Sequence, residues 1–420
     1  MIEKINRQNQ KHKRITIIGL KKSGYAAALL GDQLGAKVFA SEINKNKEII
    51  SNRNALVKKG IDCEIGEHTN RIYDADYWVI SPGVPSDVDI IEKAKKINIP
   101  IIGEIEFASN LTNIPIIAVT GSNGKSTTVS IMHNMLKTKN LSPILGGNIG
   151  IPLSKIILRE IKNPDIGNIL ILEISSFQLE FINQFRPKIS VFLNISPDHL
   201  DRHKNMKEYI KMKLKMITNS KDDDKIVYNE DDDILREEFS EKQSNKIPFS
   251  IKNNTQFFSV NETKIYDEKD EVFCSLDEIL LKGKHNLSNL IASATVAKIL
   301  NVNSEKIKNT MKNYSGIDHR LQTIRKLNGV TYINDSKATN IQSVIVATNS
   351  FDNPIILILG GKNKNSDFRL LLPHTKRHVK HIVSYGEAGG EIAAAIGDAV
   401  RLNRVSSLSQ AVASAHKLAA

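Results

Sequence analysis

Cysteine, aromatic residues and long apolar runs are all scarce in this chain of 420 residues, and each scarcity excludes something. The two cysteines, Cys63 and Cys274, lie far apart and outside any CxxC spacing. Neither a disulfide framework nor a thiolate zinc site is available, and both read as buried or incidental thiols. Aromatic residues make up only 5%, and the basic residues are scattered instead of clustered with stacking rings, which argues against a nucleic-acid partner. No stretch approaches the roughly 18 consecutive apolar residues of a membrane span. Residues 1–14 are polar and basic with no apolar run behind them, so no secretory leader is expected. The expected setting is the cytoplasm, without a membrane partner.

What is present fits a folded protein of several parts. Hydrophobic residues at 40% and charged residues at 25% are close to globular averages. The length is several times that of a typical domain, so about three domains are expected, each with its own core. The net charge of +12 would draw a polyanion or a small anionic substrate equally well.

Arg14-Ile-Thr-Ile-Ile-Gly-Leu20 reads as a buried strand, followed by an Ala- and Leu-rich helix over 23–34. Lys37-Val-Phe-Ala40 and Asp76-Tyr-Trp-Val-Ile80 read as further strands, the second halted by Ser81-Pro82-Gly83. A second unit starts near Gly103, with strands at 114–120, 168–173 and 189–194. Residues 218–280 are polar, with only short β-like pieces. A third unit begins near Ile317, with strands at 330–333, 354–359 and 381–385. Alternating strands and helices predict α/β units with parallel sheets. The expected division is 1–103, 104–316 and 317–420.

Thr120-Gly-Ser-Asn-Gly-Lys-Ser-Thr127 lies between a strand and a helix. There the backbone amides of Gly121, Ser122, Asn123 and Gly124 and the helix N-terminus can hold phosphate, with Lys125 as cation and Ser126 as a magnesium ligand. The strict GxxxxGK[ST] form fails, because Val119 replaces its first glycine. Asn168-Ile-Leu-Ile-Leu-Glu173 is a strand ending in a carboxylate, which makes Glu173 a candidate metal ligand. Asp198, His199, Asp201, Arg202 and His203 crowd six positions after another apolar strand, a density unusual for a plain turn.

In the next helix, 206–217, Met206, Tyr209, Ile210, Met216 and Ile217 share one face at about 100° per residue, and Lys213 falls near its centre. Lys207, Lys211 and Lys215 point elsewhere. Lys213 either snorkels to water or sits desolvated, with a lowered pKa and nucleophilic character. Gly19-Leu-Lys-Lys-Ser-Gly24 departs from the dinucleotide fingerprint at Lys21, so the first unit either holds a nucleotide sugar or is scaffold. Gly283-Lys-His-Asn-Leu-Ser-Asn289, His319-Arg320 and Asn334-Asp-Ser-Lys-Ala-Thr-Asn340 each read singly as a cap or a turn as readily as a site.

Taken together and in this order, these motifs resemble the Mur ligases, the ATP-dependent amide-bond-forming enzymes of peptidoglycan precursor synthesis. Leu172-Glu-Ile-Ser-Ser-Phe-Gln-Leu-Glu180, Gly146-Gly-Asn-Ile-Gly150 and Asp335-Ser-Lys-Ala-Thr-Asn340 look like the branch that adds D-glutamate to UDP-N-acetylmuramoyl-L-alanine. The resemblance implies a Rossmann-like first domain, a central P-loop ATPase-type parallel sheet and a Rossmann-like third domain, in a monomer acting on small molecules. Its reaction is attack of the substrate carboxylate on ATP to give an acyl phosphate, then displacement of phosphate by the D-glutamate amine.

By the same resemblance, residues 121–127 with Asn286, Arg320, Asp335 and Lys337 would contact ATP, the site being completed by closure of the second and third domains. Ser126 and Glu173 would hold one magnesium ion, and His199 would help hold a second. Lys213 would be carbamylated by CO2 into a metal ligand, and Lys125, His199 and Lys213 would form the catalytic group. Ser23, Ser41 and Ser81 would lie along UDP, Gly147 and Asn148 along the muramoyl-alanine arm, and Thr339 and Lys364 near D-glutamate. Glu42 stands where a basic residue would better suit an anionic substrate.

Beyond Lys417-Leu-Ala-Ala420 the resemblance leads to a Ser-Pro-rich turn and a closing segment that this chain does not match. An incomplete third domain with weak D-glutamate capture is therefore expected, the rival being a catalytically silent nucleotide-binding protein.

Overall fold

The strand expected at the start of the chain forms as β1 (Arg14–Ile18) and is followed by β2 (Lys37–Glu42), β3 (Asp62–Ile65), β4 (Tyr77–Ile80) and β5 (Ile101–Gly103). In this computed structural model, residues 5–198, 200–241, 245–317, 319–351, 353–363 and 366–419 are described. The five strands make one parallel sheet in the order β3-β2-β1-β4-β5. The chain reverses its direction of winding between β1 and β4, so the carboxyl ends of these two strands open the crevice where such sheets take ligands.

The second sheet is built from β6 (Ile116–Thr120), β7 (Pro143–Gly147), β8 (Ile169–Glu173), β9 (Ile189–Phe192), β10 (Lys225–Asn229) and β11 (Lys246–Phe249), ordered β11-β10-β9-β6-β8-β7 and parallel throughout. β6, β8 and β9 are buried along their whole length, which is why they read as uninterrupted apolar runs instead of alternating ones. The polar stretch 218–280 supplies β10, β11 and a small antiparallel sheet of β12 (Phe258–Val260), β13 (Lys264–Asp267) and β14 (Val272–Ser275).

The two parallel sheets share one continuous core. Ile15, Ile17 and Val79 of the first belong to the same buried cluster as Leu170, Leu172 and Phe192 of the second. The helices Lys22–Gln33, Glu104–Ser109 and Leu153–Lys162 pack against one another. Two buried carboxylates brace this joint. Glu106 accepts the backbone N–H groups of Asn183, Gln184 and Phe185 at 2.8–2.9 Å, and Glu104 accepts that of Ser154 at 2.6 Å. Burial raises the pKa of Glu104. Consistent with this shared core, the chain divides into two units, one comprising Met1–Leu280 with Lys284–Tyr314 and the other Leu281–Gly283 with Ser315–Ala420.

In the second unit β15 (Gln322–Leu327) and β16 (Val330–Asn334) form a hairpin, turned at Asn328 and Gly329, both with positive φ. β17 (Ile355–Gly360), β18 (Val379–Tyr385) and β19 (Leu402–Arg404) form a parallel sheet. The final helix, Leu408–Ala419, packs on β17 and β18. Ala411 is buried, whereas Leu408 and Val412 are 53% and 48% exposed. Both thiols are inert in character, with burial pushing Cys63 up to about 12 and Cys274 up to about 11. Among the described residues no helix is long and apolar enough to cross a membrane.

Candidate active site

The residues after β6 build a phosphate-type loop whose shape depends on Gly124. This residue caps the helix Lys125–Leu136 at φ +83, and a Cβ there would lie 2.5 Å from Asn289 Oδ1. Only glycine meets both conditions without strain. The loop is tied to the strand beside it: Asn123 N donates to Asn194 Oδ1 at 2.8 Å, Ser122 N to Asn194 O at 3.0 Å, and Ser122 Oγ to Ser196 O at 2.9 Å. Lys125 curls over the loop and donates to Gly121 O at 2.6 Å and Ser122 O at 2.9 Å. Its cation is therefore held against the loop carbonyls.

Glu173, at the end of β8, is 2% exposed. One carboxylate oxygen accepts from Ser126 Oγ at 2.9 Å and the other from Asn148 Nδ2 at 2.8 Å. Gly147 makes this convergence possible. It sits opposite Glu173 in the β7–β8 register at φ +101, and a Cβ would come within 2.3 Å of Glu173 O. Asn148 N in turn donates to that same carbonyl at 2.8 Å. A hydroxyl and a buried carboxylate beside a phosphate loop are hard oxygen donors of the kind magnesium takes.

Lys213 lies on the apolar side of its helix, Met206–Leu214, and is 1% exposed. Its amine donates to Gly121 O at 3.0 Å and stands 4.5 Å from the centre of the Tyr209 ring. Burial, and then the positive charge of Lys125, push its pKa well below the ordinary lysine value, against the pull of Asp198. Its burial beside the loop thus favours the uncharged form of the amine. Tyr209, its phenol pushed up to about 12 by burial, lies 3.1 Å from Ser122 Oγ.

Of the neighbouring lysines, Lys211 is exposed as the helical wheel requires, but Lys215 is not. The helix tightens into a 3-10 turn over Lys215–Ile217, which swings Lys215 inward to donate to Glu180 O at 2.8 Å. Burial lowers its pKa also.

His199 and Lys364 lie outside the described residues. Of the group around His199, His203 is buried, with Nε2 at 2.8 Å from Ser176 Oγ and its ring between those of Phe177 and Tyr209. Asn286 is buried on the helix Lys284–Ile299. Its neighbour one turn on, Asn289, was missed by sequence reasoning, although i and i+3 on a helix share a face. Asn289 Oδ1 accepts from Thr128 Oγ1 at 3.2 Å, and it sets the space at Gly124.

The serines expected along UDP lie at the carboxyl edge of the first sheet. Ser81 Oγ donates to Gly19 O at 3.1 Å, Ser41 Oγ donates to Glu64 at 2.7 Å, and Ser23 opens the helix that follows. Glu42 is buried. It accepts from Leu20 N at 3.0 Å and from Asn44 N and Nδ2 at 2.9 and 2.6 Å, so its carboxylate braces the Gly19-Leu20 turn.

In the second unit, Asp335 accepts from Leu321 N at 3.0 Å and Lys337 N donates to His319 O at 3.0 Å. Arg320, Asp335 and Lys337 thus share one corner at the base of the hairpin. Burial raises the pKa of Asp335 against the pull of the Leu321 amide and Arg320. Thr339 is exposed just ahead of the helix Ile341–Thr348.

Comparison with known proteins finds matches along most of the chain. The MurD N-terminal domain matches residues 14–90, the Mur ligase middle domain 119–297, and the Mur ligase, glutamate ligase domain 319–420. UDP-N-acetylmuramoylalanine--D-glutamate ligase of Salinibacter ruber is 35% identical over 97% of this chain and 90% of its own length. The proteins of that name from Koribacter versatilis and Clostridioides difficile are each 38% identical over 91% of this chain and 85% of theirs. Among solved structures, the MurC UDP-N-acetylmuramate-alanine ligase of Thermotoga maritima matches with a TM-score of 0.61 at 18% identity, covering 95% of this chain and 92% of that one. MurF of Acinetobacter baumannii matches with a TM-score of 0.62 at 17% identity, covering 97% and 87%. At those identities the structural likeness is one of fold.

Proposed function

The chain belongs to the Mur ligase family, and from that premise we propose that it joins D-glutamate to UDP-N-acetylmuramoyl-L-alanine with conversion of ATP to ADP and phosphate. The observation that carries this reading is the convergence of Lys125, the Ser126–Glu173–Asn148 group and the buried amine of Lys213 on one glycine-rich loop. The reaction brings a carboxylate to a polyphosphate, two anions that need cations and oriented amides between them.

Lys125 and the loop residues Gly121, Ser122, Asn123 and Gly124 hold the phosphates, with Thr127, Asn286 and Asn289 behind them. The substrate carboxylate attacks the γ-phosphorus and ADP leaves, giving an acyl phosphate. The D-glutamate amine then adds to the acyl carbon, and the tetrahedral intermediate collapses with loss of phosphate. Magnesium, which the family requires, would be held by Ser126 and Glu173 at one site and by His199 at a second, and would neutralise charge between the two anions. The amine of Lys213 adds to CO2 with loss of one proton, and the resulting carbamate supplies oxygen donors where an ammonium would repel a metal ion.

We assign 1–103 to the UDP portion, with Ser23, Ser41 and Ser81, and 104–316 to ATP and the muramoyl-alanine arm, with Gly147 and Asn148. Residues 317–420 carry nucleotide contacts at Arg320, Asp335 and Lys337 and D-glutamate contacts at Thr339 and Lys364. The setting is cytoplasmic. The silent-protein reading is not favoured, since relatives matched over 85–90% of their own length carry the ligase name. Mass spectrometry of the product with D-glutamate, L-glutamate and L-lysine tests the assignment. The amide is expected with D-glutamate alone, and its absence would overturn the reading.

A further inference from the structure

Arg202 lies on the short helix Leu200–His203 that follows β9. Its Nε and Nη2 donate to the two oxygens of Glu180 at 2.9 and 2.6 Å, while Nη1 donates to Pro82 O at 3.1 Å and Nη2 also to Val84 O at 2.9 Å. The guanidinium carbon stands 4.3 Å from the centre of the Phe177 ring. The two charged side chains are 17% and 5% exposed.

One planar fork therefore joins three stretches of chain. These are the turn leaving β4, which bears Ser81; the stretch that follows β8, from Glu173 to Glu180; and the segment that follows β9. The turn Ser81-Pro82-Gly83-Val84-Pro85 contains two prolines, which have no N–H, and the carbonyls of Pro82 and Val84 both accept from Arg202. It also leaves the sheet at the switch point where β1 and β4 part. Lysine could not replace the fork, because a single ammonium cannot pair with both carboxylate oxygens, reach two carbonyls and stack on a ring.

We propose that Arg202 is a positioning residue for the ligation, fixing the register between the turn that receives the UDP portion and the segments that carry the phosphoryl-transfer groups. This rests on the reaction proposed above. Arg202 touches no reacting atom. It lets binding of the UDP portion place the distant carboxylate against the γ-phosphate, which is how remote binding lowers a barrier. Glu180 and Phe177 hold the fork in its plane, so Glu180→Gln should produce the same defect in weaker form.

The test compares Arg202→Lys, Arg202→Ala and Glu180→Gln with the wild-type chain in four measurements. These are the KM for UDP-N-acetylmuramoyl-L-alanine, the Kd of UDP alone by calorimetry, the Kd of a fluorescent ATP analogue, and hydrogen exchange of residues 81–88. For Arg202→Lys the expected result is at least about a tenfold rise in KM and in the UDP Kd, at least about tenfold faster exchange over 81–88, and ATP affinity within about twofold of wild type. Unchanged KM and exchange would overturn the proposal. So would a parallel fall of ATP affinity and melting temperature, which would make Arg202 a strut of the fold and nothing more. If the wild-type chain itself fails to ligate, the functional reading fails, and UDP affinity and exchange still decide the role of Arg202.

Discussion

Replacing Lys213 by Met should cost activity and change how stability depends on pH. Met keeps the length and apolar character of the stem and removes the amine, which is 1% exposed. It also removes the 3.0 Å hydrogen bond to Gly121 O, a loss of roughly 1 kcal/mol that does not vary with pH. The pH-dependent part follows from linkage. The folded pKa is well below 10.5, so in the window between the two values the unfolded chain binds one more proton than the folded chain. Stability contributed by this lysine is therefore complete above the unfolded value of 10.5 and is lost as pH falls toward the folded value. The slope is about 1.4 kcal/mol per pH unit. As pH rises through that window toward the unfolded value, the wild-type chain should gain stability relative to Lys213→Met, and its Tm should rise with it.

The assay is denaturant and thermal unfolding of both proteins in chelator with CO2 excluded, so that the amine stays unmodified. Adding bicarbonate near pH 8 should then stabilise the wild-type chain only, because a ligand that binds the folded state alone shifts its stability. The kcat of Lys213→Met should fall at least about 100-fold, the range for losing one preorganised group in a reacting site, with partial recovery in high acetate or chloride. Parallel pH profiles for the two proteins would refute the claim that burial lowers the pKa of Lys213.

The remaining expectations can be checked by steady-state kinetics and ATP binding. Gly124→Ala, with a Cβ 2.5 Å from Asn289 Oδ1 at φ +83, should cost about 1–3 kcal/mol of strain and weaken ATP binding at least about tenfold, whereas unchanged ATP affinity would contradict the loop geometry. Glu173→Gln keeps the contact to Ser126 and removes the charge, so the magnesium concentration for half-maximal rate should rise at least about tenfold; a variant with wild-type magnesium dependence would exclude Glu173 as a ligand. Lys211→Ala should match the wild-type chain. Lys215→Ala should lose about 1 kcal/mol of stability with its contact to Glu180 O, and equal stability of the two variants would contradict that contact.

The strands β1, β4, β6, β8 and β9 were legible because buried parallel strands are uninterrupted apolar runs between turn residues, as at Arg14–Ile18 and Ile169–Glu173, whereas β3, β5, β7 and β11 carry no such run. The phosphate loop was legible because its chemistry is local in sequence. Lys213 was half legible, since the wheel places it on the apolar face but only tertiary packing decides whether it snorkels or stays buried. The same wheel misplaced Lys215, because it assumes a regular helix where the chain tightens into a 3-10 turn. Asn289 and Glu42 were hidden for a different reason: each acts on a loop more than twenty residues away in sequence, and nothing local announces that pairing.

The central claim is that the substrate carboxylate itself attacks ATP. UDP-N-acetylmuramoyl-L-alanine with both carboxylate oxygens replaced by 18O tests it directly, with the released phosphate read by mass spectrometry in the presence of ATP, magnesium and D-glutamate. The account predicts one 18O atom in each phosphate released and one amide formed with it. Phosphate that carries no label, formed whether or not D-glutamate is present, would show hydrolysis by water and would contradict the acyl-phosphate route.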